Sequence, residues 1–247
     1  MKFAVLIYSV VAVFLAAIVR GYSGFGFSLL TITALSLALT PAEIVPSIFM
    51  LEIAASLHLL PGIWNDVHWR SLLPLVIGCA IATPVGVYAL ARVPAPPMQI
   101  ALAMFVMATA ILLWRGFALK RIPGFGGSVA VGAASGLFNG AFGIGGPPVI
   151  LFYFSTPQAH AVGRASVIAF FVFTDAIGLV MLARESLVTL DAAYRALAFA
   201  APLIAGVWLG ARAFKSADPL VFRRIVLVLL AFLAALTAVK GLYAFLA

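Results

Sequence analysis

Long apolar runs occupy most of this 247-residue chain, and they constrain its fold more than any other feature. Hydrophobic residues make up 65% of the sequence and charged residues 9%, whereas soluble domains are about 45–50% apolar and 25% charged. A membrane helix needs about 20 apolar residues in a run, while a membrane strand alternates apolar and polar positions. The runs here do not alternate. The sequence therefore predicts an all-α integral membrane protein that crosses the bilayer several times.

Ten apolar segments follow one another in two sets of five. The first set is 3–19, 27–39, 44–60, 72–90 and 98–114, and the second set is 129–138, 149–154, 162–182, 194–214 and 220–239. The segment at 149–154 is too short to cross a bilayer, and the one at 27–39 is barely long enough. Each set is therefore predicted to contain a re-entrant or broken helix hairpin.

A glycine pattern, G-x-x-G-x-G, interrupts both sets at matching places. It occupies residues 21–26 and 140–145, which are offset by 119 residues (140 minus 21). This duplication predicts two membrane repeats, at 1–117 and 129–247, joined by a linker at 118–128. Because five segments is an odd number, the second repeat enters the bilayer from the opposite side. The repeats are therefore predicted to be inverted, a plan common among secondary transporters.

The distribution of lysine and arginine predicts the orientation. Nine of these residues fall in the loops around 61–71, 115–128, 155–164 and 212–224, and five fall on the other side. The positive-inside rule then makes the linker cytoplasmic and places both termini outside. Topology accounts for much of the net charge of +8, so the expected environment is the lipid bilayer and no nucleic-acid partner is expected. The sequence does not decide the oligomeric state, and a homodimer is one of the alternatives.

The two glycine patterns also predict an anion site. A short helix follows each of them, and a helix N-terminus offers backbone N–H groups and about half an elementary positive charge. Such ends bind small anions in transporters. The competing interpretation is that these glycines let helices pack closely. The candidate substrate-binding residues are Arg20, Gly21, Ser23, Gly24, Gly26, Ser28 and Ser47 in the first repeat, and Asn139, Gly140, Gly143, Gly145, Gly146 and Ser166 in the second.

Three charged residues within or beside apolar runs are functional candidates. Arg20 directly precedes the first pattern, and its guanidinium suits a multi-oxygen anion if the hairpin is re-entrant. If the first segment spans fully, Arg20 is instead an interfacial arginine. Glu52 and Asp175 are candidates for proton coupling, because intramembrane acids commonly carry protons; structural hydrogen bonding between helices is the alternative. No catalytic residue, metal site or cofactor is expected.

The motif G-L-F-N-G-A-F-G-I-G-G-P-P at 136–148, with the helix around Ser166, resembles the sulfite exporter TauE/SafE family of small bacterial membrane transporters. The similarity extends over nearly the whole chain. It implies an ion- or proton-coupled exporter of sulfite, sulfonates or related sulfur anions, located in the bacterial inner membrane. The first repeat departs from the second, with Phe27-Ser28 where the second has Gly146-Pro147.

Two other functions compete with a coupled carrier. A passive anion channel would use the same backbone site, but its flux would need no gradient of a second ion. An intramembrane serine protease is suggested by the G-x-S-G match at 21–24, with Ser23 as nucleophile and His58 or His160 as its base. The repeat opposes the protease, because Phe142 stands where the second pattern would need the serine.

Overall fold

The computed structural model describes residues 3–23, 25–115, 123–154, 160–213 and 219–246, and these ranges contain ten α-helices and no strand. In chain order the helices are α1 Phe3–Ser23, α2 Phe27–Leu35, α3 Pro41–Ile63, α4 Trp69–Arg92, α5 Ala95–Trp114, α6 Phe125–Phe142, α7 Gly146–Phe154, α8 His160–Arg184, α9 Leu190–Ala213 and α10 Pro219–Leu246. Each predicted apolar segment corresponds to one helix, so the all-α prediction is confirmed. Gly24 and the first part of the predicted linker lie outside the described residues.

Helix length separates membrane-spanning helices from shorter ones. Seven helices in the described ranges are long and apolar enough to cross a bilayer, namely α1, α3, α4, α5, α8, α9 and α10. Helices α2 and α7 have nine residues each. At 1.5 Å per residue they are about 14 Å long, roughly half the hydrocarbon thickness. The protein is thus a multi-pass membrane protein, and α2 and α7 are its two half-helices.

The helices form two compact units, each drawn from both predicted repeats. Unit 1 comprises Met1–Ser47, Val93–Gly116 and Leu190–Ala247, so it contains α1, α2, the start of α3, α5, α9 and α10. Unit 2 comprises Ile48–Arg92 and Phe117–Thr189, so it contains the rest of α3 with α4, α6, α7 and α8. Each unit therefore joins the first helix of one repeat to the fourth helix of the other. The repeat boundaries themselves remain a prediction.

In unit 2, glycines bring α6 into backbone contact with α4. A Cβ atom at Gly132, Gly136 or Gly140 would overlap a carbonyl oxygen of α4, beginning at Leu75 and ending at Thr83. Small residues at four-residue spacing let two membrane helices approach in this way. The contacts advance by one turn on both helices in the same direction. Helices α4 and α6 therefore run parallel.

Unit 1 repeats this arrangement with α1 and α9. A Cβ at Gly206 would overlap the carbonyl oxygen of Phe14, and one at Gly210 would overlap that of Ile18. The four-residue step again runs the same way on both helices, so α1 and α9 are also parallel. Two contacts occupy equivalent positions in the two units. The equivalent pairs are Gly210 with Ile18 and Gly86 with Leu137, and Gly21 with Val207 and Gly140 with Thr83.

Candidate functional site

A glycine turn precedes each half-helix. The first turn contains residues 25 and 26, between α1 and α2, and the second turn is residues 143–145, between α6 and α7. Gly26 has φ of 89° and Gly143 has φ of 69°, in the left-handed region that glycine adopts without strain. Gly26 is the N-cap of α2, whereas Gly143 is the C-cap of α6. The left-handed glycine therefore begins a helix in the first turn and ends a helix in the second turn.

The second turn is tied closely to α6. The backbone N–H of Gly143 donates to the carbonyl of Asn139 at 2.7 Å. The hydroxyl of Ser135 donates to the carbonyl of Gly145. A Cβ at Gly145 would lie 3.0 Å from the side chain of Asn139, which is tighter than ordinary contact. Residue 145 must therefore be small for the turn to close over the asparagine.

The asparagine at the second turn is held by a carboxylate. Asn139 Nδ2 donates to Asp175 Oδ1 of α8 at 3.0 Å, and the two residues are 1% and 2% exposed. An ionised Asp175 opposes any anion that approaches the second turn, whereas a protonated Asp175 does not. The pair brings together one predicted substrate residue and one predicted proton carrier.

The first turn carries a buried cation in place of that asparagine. Arg20 lies in the last turn of α1 and is only 4% exposed. After the turn, Leu30 N donates to Gly26 O at 3.1 Å, which is the first hydrogen bond of α2. The backbone N–H groups of residues 27–29 precede that bond, so α2 itself supplies no acceptor for them. Ser28 lies among them and is half-buried, while the side chain of Ser23 is outside the described part of the chain.

Two of the predicted binding glycines lie in helix contacts. Gly21 faces the backbone of Val207 within unit 1, and Gly140 faces that of Thr83 within unit 2. Close packing explains why each must lack a side chain. Gly146 begins α7, and a Cβ there would lie 3.3 Å from the ring of Phe171. A direct role of these three glycines in binding an anion stays a prediction.

Two of the four predicted serines, Ser47 and Ser166, are buried and form hydrogen bonds with backbone groups. Ser47 Oγ donates to the carbonyl of Ala192 at 2.9 Å in unit 1. Ser166 Oγ accepts from the backbone N–H of His68 at 3.0 Å in unit 2. Glu52 is also buried, with 3% of its surface exposed. Each serine thus has a structural hydrogen bond, and a role toward substrate stays a prediction.

A polar network that the sequence did not predict holds the end of α7. Tyr153 Oη lies 3.1 Å from Ser71 Oγ, and Ser71 Oγ lies 2.7 Å from His68 Nδ1. The His68 backbone in turn reaches Ser166 on α8. The network joins the start of α4, the end of α7 and the first half of α8. Ser71 and Tyr153 are 82 positions apart in the sequence, and His68 and Ser166 are 98 apart. No local sequence pattern therefore indicates these contacts.

Among the described residues there is no group of three or more His, Cys, Asp or Glu side chains that could hold a metal ion. The polar groups beside the two turns are backbone N–H groups, the guanidinium of Arg20, the amide of Asn139 and the carboxylate of Asp175.

Comparison with known proteins gives two matches. The family model described as "Sulfite exporter TauE/SafE" matches residues 9–237. A curated protein of Cupriavidus necator, described as "Probable sulfite/organosulfonate exporter TauE", is 29% identical over 164 residues, which cover 63% of this chain and 63% of that protein. The alignment therefore spans just under two thirds of the relative's length. No solved structure matches the chain.

Proposed function

Since the chain belongs to the TauE/SafE sulfite exporter family, we propose that it exports a small sulfur-oxide or organosulfonate anion across the bacterial inner membrane. The observation that supports this most is the first turn, where a buried arginine precedes a half-helix whose first N–H groups have no acceptor within the helix. Charge buried in a membrane protein is costly and is usually retained for function. A guanidinium beside a helix N-terminus suits an oxyanion of sulfur, because both supply directed N–H donors.

The first turn is proposed as the main anion-binding element. Helix α2 begins Phe27-Ser28-Leu29, and all three residues have a backbone N–H. Helix α7 begins Gly146-Pro147-Pro148, and neither proline has one. The second turn thus offers fewer donors, and it carries no cation in place of Arg20. The second-repeat candidates Asn139, Gly143, Gly145 and Ser166 remain proposed substrate-binding residues of the second turn.

Export is the direction that membrane physics favours for an anion. A cell interior that is electrically negative lowers the free energy of an anion that leaves, by about 2.3 kcal/mol per charge for each 100 mV. Proton coupling is proposed to involve Asp175 or Glu52, both buried acids. If Asp175 carries the proton, Asp175→Asn should make the rate of transport independent of pH while wild type stays pH-dependent. Glu52→Gln is the parallel test, and unchanged pH profiles in both variants would remove proton coupling through these acids.

The repeats are proposed to be inverted, with both termini outside the cytoplasm. Parallel packing of α4 with α6 and of α1 with α9 supports the inverted repeats. If the chain reverses direction at every connection, all even-numbered helices run one way and all odd-numbered helices run the other way. Reporter fusions at the C-terminus and at Lys120 test the orientation. A reporter active outside at the C-terminus and inside at Lys120 is expected, and a cytoplasmic C-terminus would contradict the proposal.

Efflux from proteoliposomes tests the proposed function. Purified full-length protein is reconstituted, the vesicles are loaded with sulfite, sulfate, thiosulfate or a short sulfonate, and release is followed over time. Saturable release of sulfite or the sulfonate is expected. Release that rises linearly with concentration and needs no gradient would indicate a channel, and cleavage of a membrane peptide that is lost with Ser23→Ala would indicate the protease. No binding and no release of any of the four anions would overturn the proposal.

A further inference from the structure

The C-terminal end of half-helix α2 is held by two side chains that donate hydrogen bonds to one carbonyl. Lys240 Nζ of α10 and Gln99 Nε2 of α5 each donate to Ser36 O at 3.0 Å. Ser36 directly follows the last residue of α2 and is fully buried, and Gln99 is 3% exposed. A carbonyl oxygen has two lone pairs, so these two donors saturate it. We call Lys240 and Gln99 the α2 clamp.

Two further side chains of unit 1, on α10 and α1, hold the last turn of α2. Thr237 Oγ1 donates to Thr33 O at 3.2 Å, and Tyr8 Oη donates to Ala34 O at 2.7 Å. Thr237 lies three residues before Lys240, which places both on one face of α10. The end of α2 is therefore fixed from α1, α5 and α10 together.

The remaining carbonyls at this end are bound by the backbone. Ser36 N donates to Ile32 O at 2.9 Å, and Leu39 N donates to Leu35 O at 2.8 Å. Each carbonyl from residue 32 to residue 36 thus has a donor. A helix end inside a membrane protein needs such partners, because water is scarce there. The clamp completes that set with a donor that is charged.

A lysine ammonium is more than this carbonyl requires, because a neutral donor such as Gln99 satisfies it equally well. Lys240 lies within a helix long and apolar enough to cross the bilayer, where charge is costly. The C-terminal end of a helix carries partial negative charge, which a cation there offsets. The length of α2 places this cation about 14 Å from the first turn. At that distance a positive charge still attracts an anion when the protein interior screens it only moderately.

We propose that Lys240 is a positioning residue for the anion site, and that its charge acts through α2 to raise the affinity of the first turn. Gln99 supplies the second hydrogen bond and holds the end of the helix in place. The inference rests on the proposed function, because it assumes that an anion binds at the N-terminal end of α2. A charge at the C-terminal end of α2 is thereby proposed to raise the anion affinity at its N-terminal end.

Sulfite and sulfonate affinities of purified full-length variants test the role of the charge. Lys240→Gln keeps a hydrogen-bond donor and removes the charge, so it should weaken binding by about sevenfold, the size of a unit charge at about 14 Å with an effective dielectric constant of 20. Lys240→Arg keeps the charge and should retain wild-type affinity. Arg115→Gln, which removes an exposed charge from the end of α5, is the matched control and should bind like wild type.

A charge transplant separates this role from simple packing. In the double variant Lys240→Gln with Gln99→Lys, the cation returns to the same carbonyl from α5, and affinity should recover toward wild type. Wild-type affinity in Lys240→Gln, or no recovery in a folded double variant, would overturn the proposal. Failure of wild type itself to bind sulfite or any sulfonate would instead overturn the proposed function. Thermal unfolding without anion reports the structural role, which all clamp variants share.

Discussion

The two glycine turns share a backbone plan and differ in chemistry. The first turn has the buried guanidinium of Arg20 before it, and the half-helix after it keeps its first backbone N–H groups. The second turn has the amide of Asn139, tied to the carboxylate of Asp175, and prolines at the start of its half-helix. The two predicted repeats thus share a broken helix and differ in the polar groups beside it. The comparison suggests that the first turn holds the anion and the second responds to protons.

The helix contacts around the two turns are more alike than the polar groups. Gly21 meets α9 and Gly140 meets α4 at equivalent positions of the two repeats, and both contacts are backbone to backbone. Packing of this kind tolerates no added atom, so it resists change on either side. The turns are therefore comparable elements within each unit, and substitutions at matching positions can separate shared structure from distinct chemistry.

The largest effect is expected where the two units are alike. Gly86→Leu and Gly210→Leu should each prevent correct folding or reduce stability by more than about 3 kcal/mol, because each leucine would overlap the backbone of a packed helix. Yield and thermal unfolding in detergent measure this. Gly62→Leu is the control, since no heavy atom lies within 4 Å of a Cβ there. If only one of the two substitutions is harmful, the equivalence of the two helix pairs is wrong.

The next effect should be specific to the second turn. Asn139→Leu removes the amide N–H that donates to Asp175. The loss of this buried hydrogen bond should lower the stability by about 1–3 kcal/mol. The loss should shrink when Asp175 is changed to Leu as well, because the carboxylate then no longer needs a donor. Thermal unfolding of the two single variants and the double variant gives the coupling. Additive losses would show that the two side chains do not support each other.

A smaller effect should appear at the two left-handed glycines. Gly26→Ala and Gly143→Ala should each lower stability by about 1–2 kcal/mol, because a Cβ is strained at these positive φ values. Asparagine tolerates this conformation better, so Gly26→Asn should be milder than Gly26→Ala. Unfolding temperatures compared with that of Gly62→Ala provide the measure. Equal stability of all four variants would mean that neither turn depends on its glycine.

Much of the fold follows from the sequence, because apolar runs specify membrane helices directly. Each of the ten apolar segments corresponds to a helix. The run at 27–39 is longer than α2, which ends at Leu35 before a turn at residues 36–39. The spacing of Gly132, Gly136 and Gly140 indicates a packing face, but not that α4 is its partner. At the start of α3 the Glu43 carboxylate accepts from both the backbone N–H and the hydroxyl of Thr40, and the T-x-x-E spacing that permits the first of these bonds is visible in the sequence.

The polar contacts of the candidate site are less predictable. Asn139 and Asp175 lie 36 residues apart, and Lys240 and Ser36 lie 204 apart. Neither pair follows from helix periodicity, because each depends on which helices become neighbours. The sequence places Lys240 near the end of an apolar run, where it reads as an ordinary interfacial lysine. Its contact with the end of α2 is the basis of the role proposed for it.

The proposed anion site depends most on Arg20, and the anion affinity of variants at both turns tests this directly. Arg20→Gln should weaken sulfite or sulfonate binding by about 2–5 kcal/mol, since a buried charge-assisted contact is lost. Arg20→Lys should recover only part of this, because lysine lacks the planar fork. Asn139→Gln at the equivalent position is expected to change affinity far less. Equal affinity in wild type, Arg20→Lys and Arg20→Gln would contradict the account and remove the first turn's cation from the binding site.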